Sequence, residues 1–188
     1  MKPGWIIAIV VVLALMMGGS SFVSTRNKLA VEHEAITASW SQVDADLQRR
    51  SDLIPNLVET VKGYAKEETT VFTNIANARS ALMGAKSPQE KIDANNQLSG
   101  ALSRLLVIVE NYPNLKANEN FKQLQFELEG TENRILQSRR RYNEAVQKYN
   151  TDLSLFPANI VASMSGFQRE DAYFKTDADA RTAPKVQF

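Results

Sequence analysis

The chain has 188 residues and a formal charge of +1, and since Lys2 is the only charged residue before Arg26, residues 24–188 sum to zero. That balance excludes the basic face or stripe expected of a nucleic-acid binder. The absence of any cysteine excludes disulfide frameworks, thiolate metal sites, a cysteine nucleophile and a lipidated cysteine.

Residues 5–23 run from Trp5 to Val23 without a charge. As a helix this run spans about 28 Å, close to the hydrocarbon thickness of a bilayer. Lipid offers the backbone no hydrogen-bond partners, so a helix is the form such a segment must take. Trp5 stands at its edge, where an amphipathic ring lies at headgroup level. The alternative is a cleaved signal peptide, with Lys2 as its basic start and Gly18 to Ser21 as a weak cleavage region. No Ala-x-Ala site follows, so the expectation is a retained anchor over residues 1–23. Lys2 and the terminal amine nearly balance Arg26 and Lys28 across the membrane, which leaves sidedness close to a tie, with the periplasmic side favoured for the soluble part.

From Leu29 apolar residues recur at Ile36, Trp40, Val43 and Leu47, three and four apart, with His33 at the missing step. Nothing between Val23 and Leu29 breaks a helix, so anchor and first bundle helix are expected to be one rod. Pro55 is expected to end it, because proline lacks an amide donor and disfavours helical angles at Ile54. A second helix is then read through Leu57, Val61, Tyr64, Glu68, Val71, Ile75, Ala78 and Leu82. Ser87-Pro88-Gln89-Glu90 is a capping box with proline at the first helical position. It opens a third helix with Ile92, Leu98, Leu102, Leu105, Val109 and Tyr112 inward, ended by Pro113.

A last helix starts near Asn118 and carries Phe121, Leu124, Leu128, Thr131, Ile135, Ser138, Tyr142, Ala145, Tyr149 and Phe156 on one face, as far as Pro157. A helix of that length is a rod of about 58 Å, too long for one ordinary globular core. The fold class expected is therefore all-α: a transmembrane helix continuing into an elongated antiparallel bundle of about four helices. The bundle occupies residues 24–157, and a tail over residues 158–188 holds a short apolar helix near residues 160–167. That tail reads as a cap over the bundle end or as a docking segment.

No catalytic constellation is readable. The single histidine, His33, excludes paired Glu-x-x-His metal motifs and leaves serine catalysis without a base. Its inward step reads as a core or interhelical hydrogen bond. Gly84, Gly100 and Gly130 are isolated and form no phosphate loop. Glu127 with Glu129, and Asp44 with Asp46, lie two apart and diverge around a helix. No enzyme activity, cofactor or metal is expected. Two charged clusters, Gln48 to Asp52 beside Pro55 and Arg139 to Arg141 on the last helix, read as solvated or salt-bridged faces with Glu127, Glu129, Glu132 and Asp152 as partners, the alternative being contact with another subunit or anionic lipid. Arg50 differs, since continuing the step from Val43 and Leu47 turns it inward, where an unpaired charge is costly.

The stretch over residues 40–65, centred on Arg49-Arg50-Ser51-Asp52-Leu53-Ile54-Pro55-Asn56, resembles the signature of the LemA family of bacterial membrane proteins. So do Tyr112-Pro113-Asn114-Leu115, Leu128-Glu129-Gly130-Thr131, Tyr142-Asn143-Glu144, Tyr149-Asn150, Phe156-Pro157 and the closing Pro184-Lys185-Val186-Gln187-Phe188. The resemblance covers nearly the whole chain. It departs at Ser51, where the family often has alanine or tyrosine. It implies a single-pass membrane protein with a long, mostly antiparallel helical bundle, no established catalytic activity and no agreed biochemical role; the location expected is the bacterial inner membrane. Arg49, Arg50, Asp52, Pro55 and Asn56 match the family's strongest motif and are the candidate interaction or structural residues. The expected partners are the lipid bilayer, further copies of the chain and an envelope protein, with no nucleic acid. The function expected is that of a self-associating scaffold or interaction module, and the alternative is an accessory subunit of a membrane enzyme or protease.

Overall fold

The computed structural model describes residues 3–174, with side chains from residue 4, and within them the chain forms six helices and no strand. Lys2, the Pro184 to Phe188 motif and Phe188 lie outside the described residues. The helices are α1 (Pro3–Lys62), α2 (Thr69–Gly84), α3 (Pro88–Val109), α4 (Pro113–Ala117), α5 (Glu119–Ser154) and α6 (Ala158–Ser165). The chain divides into two compact units. Among the described residues, one comprises residues 3–39 with Tyr142–Asp171, the other Trp40–Arg141 with residues 172–174.

α1 is unbroken from Pro3 to Lys62, so residues 24–28 contain no hinge. Every residue from 4 to 21 is exposed, and the first partly covered side chain is that of Phe22, followed by Thr25 and the fully buried Leu29. Further along the first unit, Leu29 and Ile36 of α1, Tyr142, Val146, Tyr149 and Leu153 of α5, and Val161 and Ala162 of α6 are buried. Gly166 ends α6 in the left-handed conformation (φ 77°), which its missing Cβ permits, and Phe167 N–H donates to the Ala162 carbonyl at 3.1 Å.

In the second unit Val43, Leu47, Ile54, Leu57 and Val61 of α1 are buried, as are Phe72, Ile75 and Leu82 of α2 and Leu98, Leu105 and Val109 of α3. The capping box is present: Ser87 Oγ accepts from Glu90 N–H at 3.2 Å, while Glu90 Oε2 accepts from the amides of Ser87 at 3.2 Å and Lys86 at 2.7 Å. These backbone donors hold the Glu90 carboxyl below its ordinary range. Asn118 opens α5 in the same manner, its Oδ1 accepting from Phe121 N–H at 3.0 Å.

Pro55 does not end the first helix; it sits inside α1. The carbonyl it leaves without an amide partner, that of Ser51 four residues back, accepts from Arg79 Nε of α2 at 2.8 Å. Ser51 is wholly buried, so water could not have replaced that donor. The helix ends instead at Lys62. There Ala65 N–H donates to the Val61 carbonyl at 2.9 Å, and Gly63 to Glu68 form the connection to α2. Leu57 and Val61 therefore belong to α1, Tyr64 is exposed, and Phe72 rather than Val71 leads the buried face of α2. The short helix α6 lies where the tail was expected to hold one, and the five-residue α4 is an addition to the four expected bundle helices. Pro113 opens α4 rather than ending α3, which stops at Val109.

The Arg79 donor generates a double-mutant test. Arg79→Ala should lower stability by roughly 1–3 kcal/mol, the cost of a buried backbone acceptor left unpaired. In a Pro55→Ala background, where the substitution restores an amide donor to the backbone, most of that cost should disappear. Thermal and chemical unfolding of the four proteins measures the coupling, and equal Arg79→Ala costs in both backgrounds would refute the assignment.

Candidate functional site

The five candidate residues lie on consecutive turns of α1, and the helix separates them. Arg50 is buried at 6% exposure, while Arg49, Asp52, Pro55 and Asn56 are exposed. Arg49, Asp52 and Asn56 follow the three- and four-residue spacing of one helix face. Asp52 accepts from Gln48 Nε2 at 2.9 Å on the same surface. The motif is thus one inward cation beside an outward polar strip.

Arg50 Nη1 donates to Asn95 Oδ1 at 2.9 Å and Ser99 Oγ at 3.1 Å, both on α3, and lies 2.9 Å from Glu132 Oε2 on α5. Burial pulls the guanidinium down from its ordinary value and Glu132 opposes that pull; an arginine nonetheless stays charged in a protein. Asn95 is 1% exposed, so its carbonyl oxygen depends on this donor. Beside Arg50 an open groove of about 280 Å³ is lined by Leu57, Ser99, Leu102, Leu106, Leu128 and Glu129 among others. A second groove, about 480 Å³, runs past Pro55, Val58 and Lys62 of α1 and Phe72, Ala76 and Arg79 of α2. Glu132 was legible as an arginine partner. Asn95 and Arg79 were missed, although Asn95 falls three residues after Ile92 on the inward face of α3.

The remaining charge cluster, Arg139 to Arg141, divides likewise. Arg139 lies over the Phe174 ring at 4.6 Å from its centroid, and Phe174 stacks against Trp40 at 6.1 Å and is buried. Arg140 and Arg141 are exposed.

In the first unit His33 is not a core residue: its side chain is half exposed, and Glu32 takes the buried step. The spacing from Leu29 is three residues, not four. His33 still packs on the Tyr149 ring, centroids 5.5 Å apart, and its Nε2 is 3.6 Å from Glu170. Asn150 clamps the segment that follows α6, donating to the Glu170 carbonyl at 2.7 Å and accepting from its N–H at 3.0 Å.

Around Glu32 an ion network joins α1 to α5. Lys148 pairs with Glu32, and Lys28 lies 2.8 Å from Asp152. Burial pushes the Glu32 carboxyl up, against the pull of Lys148. Asp152 is held down from its ordinary 3.8 to about 2, chiefly by the Lys28 ammonium. Such opposed shifts arise in structural ion networks as well as active sites. Among the described residues no group of three or more His, Asp or Glu is placed to hold a metal ion.

Two outcomes follow from these geometries. Arg50→Ala should cost roughly 2–3 kcal/mol by orphaning Asn95, while Arg49→Ala and Asp52→Ala should stay within about 0.5 kcal/mol; unfolding in detergent ranks them. For pH, Asp152 is depressed on folding, so its stabilisation is full above its ordinary 3.8 and is lost as pH falls toward about 2. Asp152→Asn should flatten that acid limb. Glu32 is raised and has the opposite sign, its contribution fading as pH rises through the folded value, so Glu32→Gln should gain on the parent chain toward neutral pH.

The sequence model of the LemA family matches residues 39–188. The chain is 24% identical over 199 residues to Magnetosome protein MamQ 2 of Paramagnetospirillum magneticum, covering 92% of this chain and 73% of that protein. It is 24% identical over 193 residues to Magnetosome protein MamQ of Magnetospirillum gryphiswaldense, covering 89% and 71%. With Protein LemA of Metamycoplasma hominis it shares 27% identity over 145 residues, 75% of this chain and 65% of that one.

Proposed function

This chain belongs to the LemA family, and on that premise we propose that it is a single-pass protein of the bacterial inner membrane whose helical body is a non-catalytic, self-associating scaffold. The observation that carries the membrane reading is the exposure of the apolar stretch of α1 up to Phe22. From residue 4 to residue 21 no side chain is covered by the protein, and an apolar surface of that size is stable in lipid rather than in water. The helix is long and apolar enough to cross a membrane.

Self-association is supported in the second unit by large apolar side chains left on the surface, Phe126 at 75% exposure and Val107 at 70%. Both stand outside the core that α1, α2 and α3 form. No catalytic role is assigned, because the two buried charged groups of the described ion pairs are engaged structurally, Arg50 with the exposed Glu132 and Glu32 with the exposed Lys148. A second reading, an accessory subunit of a membrane enzyme or protease, is favoured by the outward strip of Arg49, Asp52 and Asn56. That strip lies on the motif most typical of the family, yet these three side chains are exposed.

The full chain in detergent or nanodiscs should run as an oligomer. Phe126→Glu with Val107→Glu should shift it toward monomer without lowering the unfolding temperature. A parent chain that is strictly monomeric and carries no co-purifying protein would sink the scaffold reading. If a partner does co-purify and is lost on replacing Arg49, Asp52 and Asn56 by alanine, the accessory-subunit reading takes its place.

A further inference from the structure

α6 and the turn before it present an apolar surface that the scaffold reading leaves unused. Residues 153–168 contain no charged side chain. Val161 and Ala162 are buried against the first unit, but Leu155 is 54% exposed, Phe156 80%, Ile160 51% and Met164 73%. In a helix, Ile160 and Met164 are four residues apart and share a face. Phe156 was expected to end the inward stripe of α5 and instead stands in the open.

The ion network fixes where this surface lies along α1. Lys28 meets Asp152 and Glu32 meets Lys148, an antiparallel register in which four steps along one helix answer four steps back along the other. Carried on by two steps, that register sets Ser154, the end of α5, level with Arg26. The turn through Leu155, Phe156 and Pro157 then lies level with residues 23–25. Val23 is the last residue of the uncharged run, and Phe22 is the first side chain of α1 that the protein partly covers. α6 follows at that end of the unit, and the chain returns to the level of Asn150 only at Glu170.

We propose that α6, with Leu155 and Phe156, is a membrane foot: a short helix lying in the headgroup and upper acyl region of the bilayer that α1 crosses, with Phe156, Ile160 and Met164 as its lipid contacts. The occupant of this face is lipid because the face is continuous with the exposed apolar surface of α1 and meets it where the bilayer must end. An interfacial helix needs an apolar face of this kind at this depth, and Arg26, exposed just beyond the uncharged run, is placed to meet phosphate groups. The foot rests on the transmembrane reading and adds a second contact, one that sets the rotation of the first unit about the α1 axis.

The native absence of cysteine lets a single introduced thiol report unambiguously. Full-length Met164→Cys, Gln147→Cys and Leu13→Cys, all at exposed positions, would carry a small fluorophore in phosphatidylcholine vesicles. Quenching would be read from lipids bearing a nitroxide near the headgroup or deep in the chain, and from aqueous iodide. At position 164 the shallow nitroxide should quench and iodide access should be several-fold below that at position 147, while the deep nitroxide should quench at position 13. If position 164 is as open to iodide as position 147 while position 13 is quenched by lipid, the foot is refuted and the span stands. Shielding from iodide at position 164 without lipid quenching would mean protein covers the face, which also overturns the proposal. Loss of quenching at position 13 removes the span and the foot with it.

Discussion

A 60-residue helix that contains a proline must find a donor for one carbonyl oxygen, and in α1 that oxygen belongs to Ser51 and takes its hydrogen bond from Arg79. Without it, a buried acceptor would favour opening the helix at Ile54. With it, the turn holding Ile54, Leu57 and Val61 stays in phase with Leu47 and buries the same face against α2. The packing of the second unit depends on this phase. A break at Pro55 would rotate those three side chains away and expose the apolar side of α2, where Phe72, Ile75 and Leu82 are now covered. The hydrogen bond and the hydrophobic packing are therefore not separable contributions, because one sets the geometry in which the other is possible.

Of the three buried charged side chains among the described residues, Glu32, Asp46 and Arg50, two are held in ion pairs of different kinds. Arg50 is a fork among neutral and anionic acceptors, two of them side chains of α3, so it fixes the rotation of α1 against α3 in a way that leucines alone would leave loose. Glu32 belongs to a wetter network whose lysines remain largely in solvent. The first is less open to screening by salt, since its cation is buried although Glu132 is half exposed. The second lies within reach of screening, which limits its worth to stability and leaves it chiefly as a register mark between α1 and α5.

Much of this was legible in the chain. The inward phase of α3 from Ile92 to Val109, the capping box at Ser87, the opening of α5 at Asn118, the inward turn of Arg50 and the short apolar helix after Pro157 all follow from local periodicity or local hydrogen bonding, which the sequence displays directly. The LemA signature was legible for the same reason, as a pattern of adjacent residues. What was not legible depended on partners remote in sequence. Pro55 reads as a breaker until the guanidinium of Arg79, on another helix, is known. His33 was set inward by counting in heptads, whereas a straight helix advances 3.6 residues per turn and drifts from that count, which moves the buried step to Glu32. Phe156 fits the stripe of α5 only if the helix continues to it, and α5 stops at Ser154.

The missing hinge between Val23 and Leu29 bears on how the protein would respond to the membrane itself. A tethered domain lets its anchor tilt freely, since a linker absorbs the change. Here the apolar stretch and the first packed residues share one hydrogen-bonded backbone, so any mismatch between the length of the stretch and the thickness of the lipid must be met by tilting the helix or deforming the bilayer. In a bilayer, a change of thickness would thereby be transmitted to the inclination of the folded part of the first unit, with no lipid-specific pocket required.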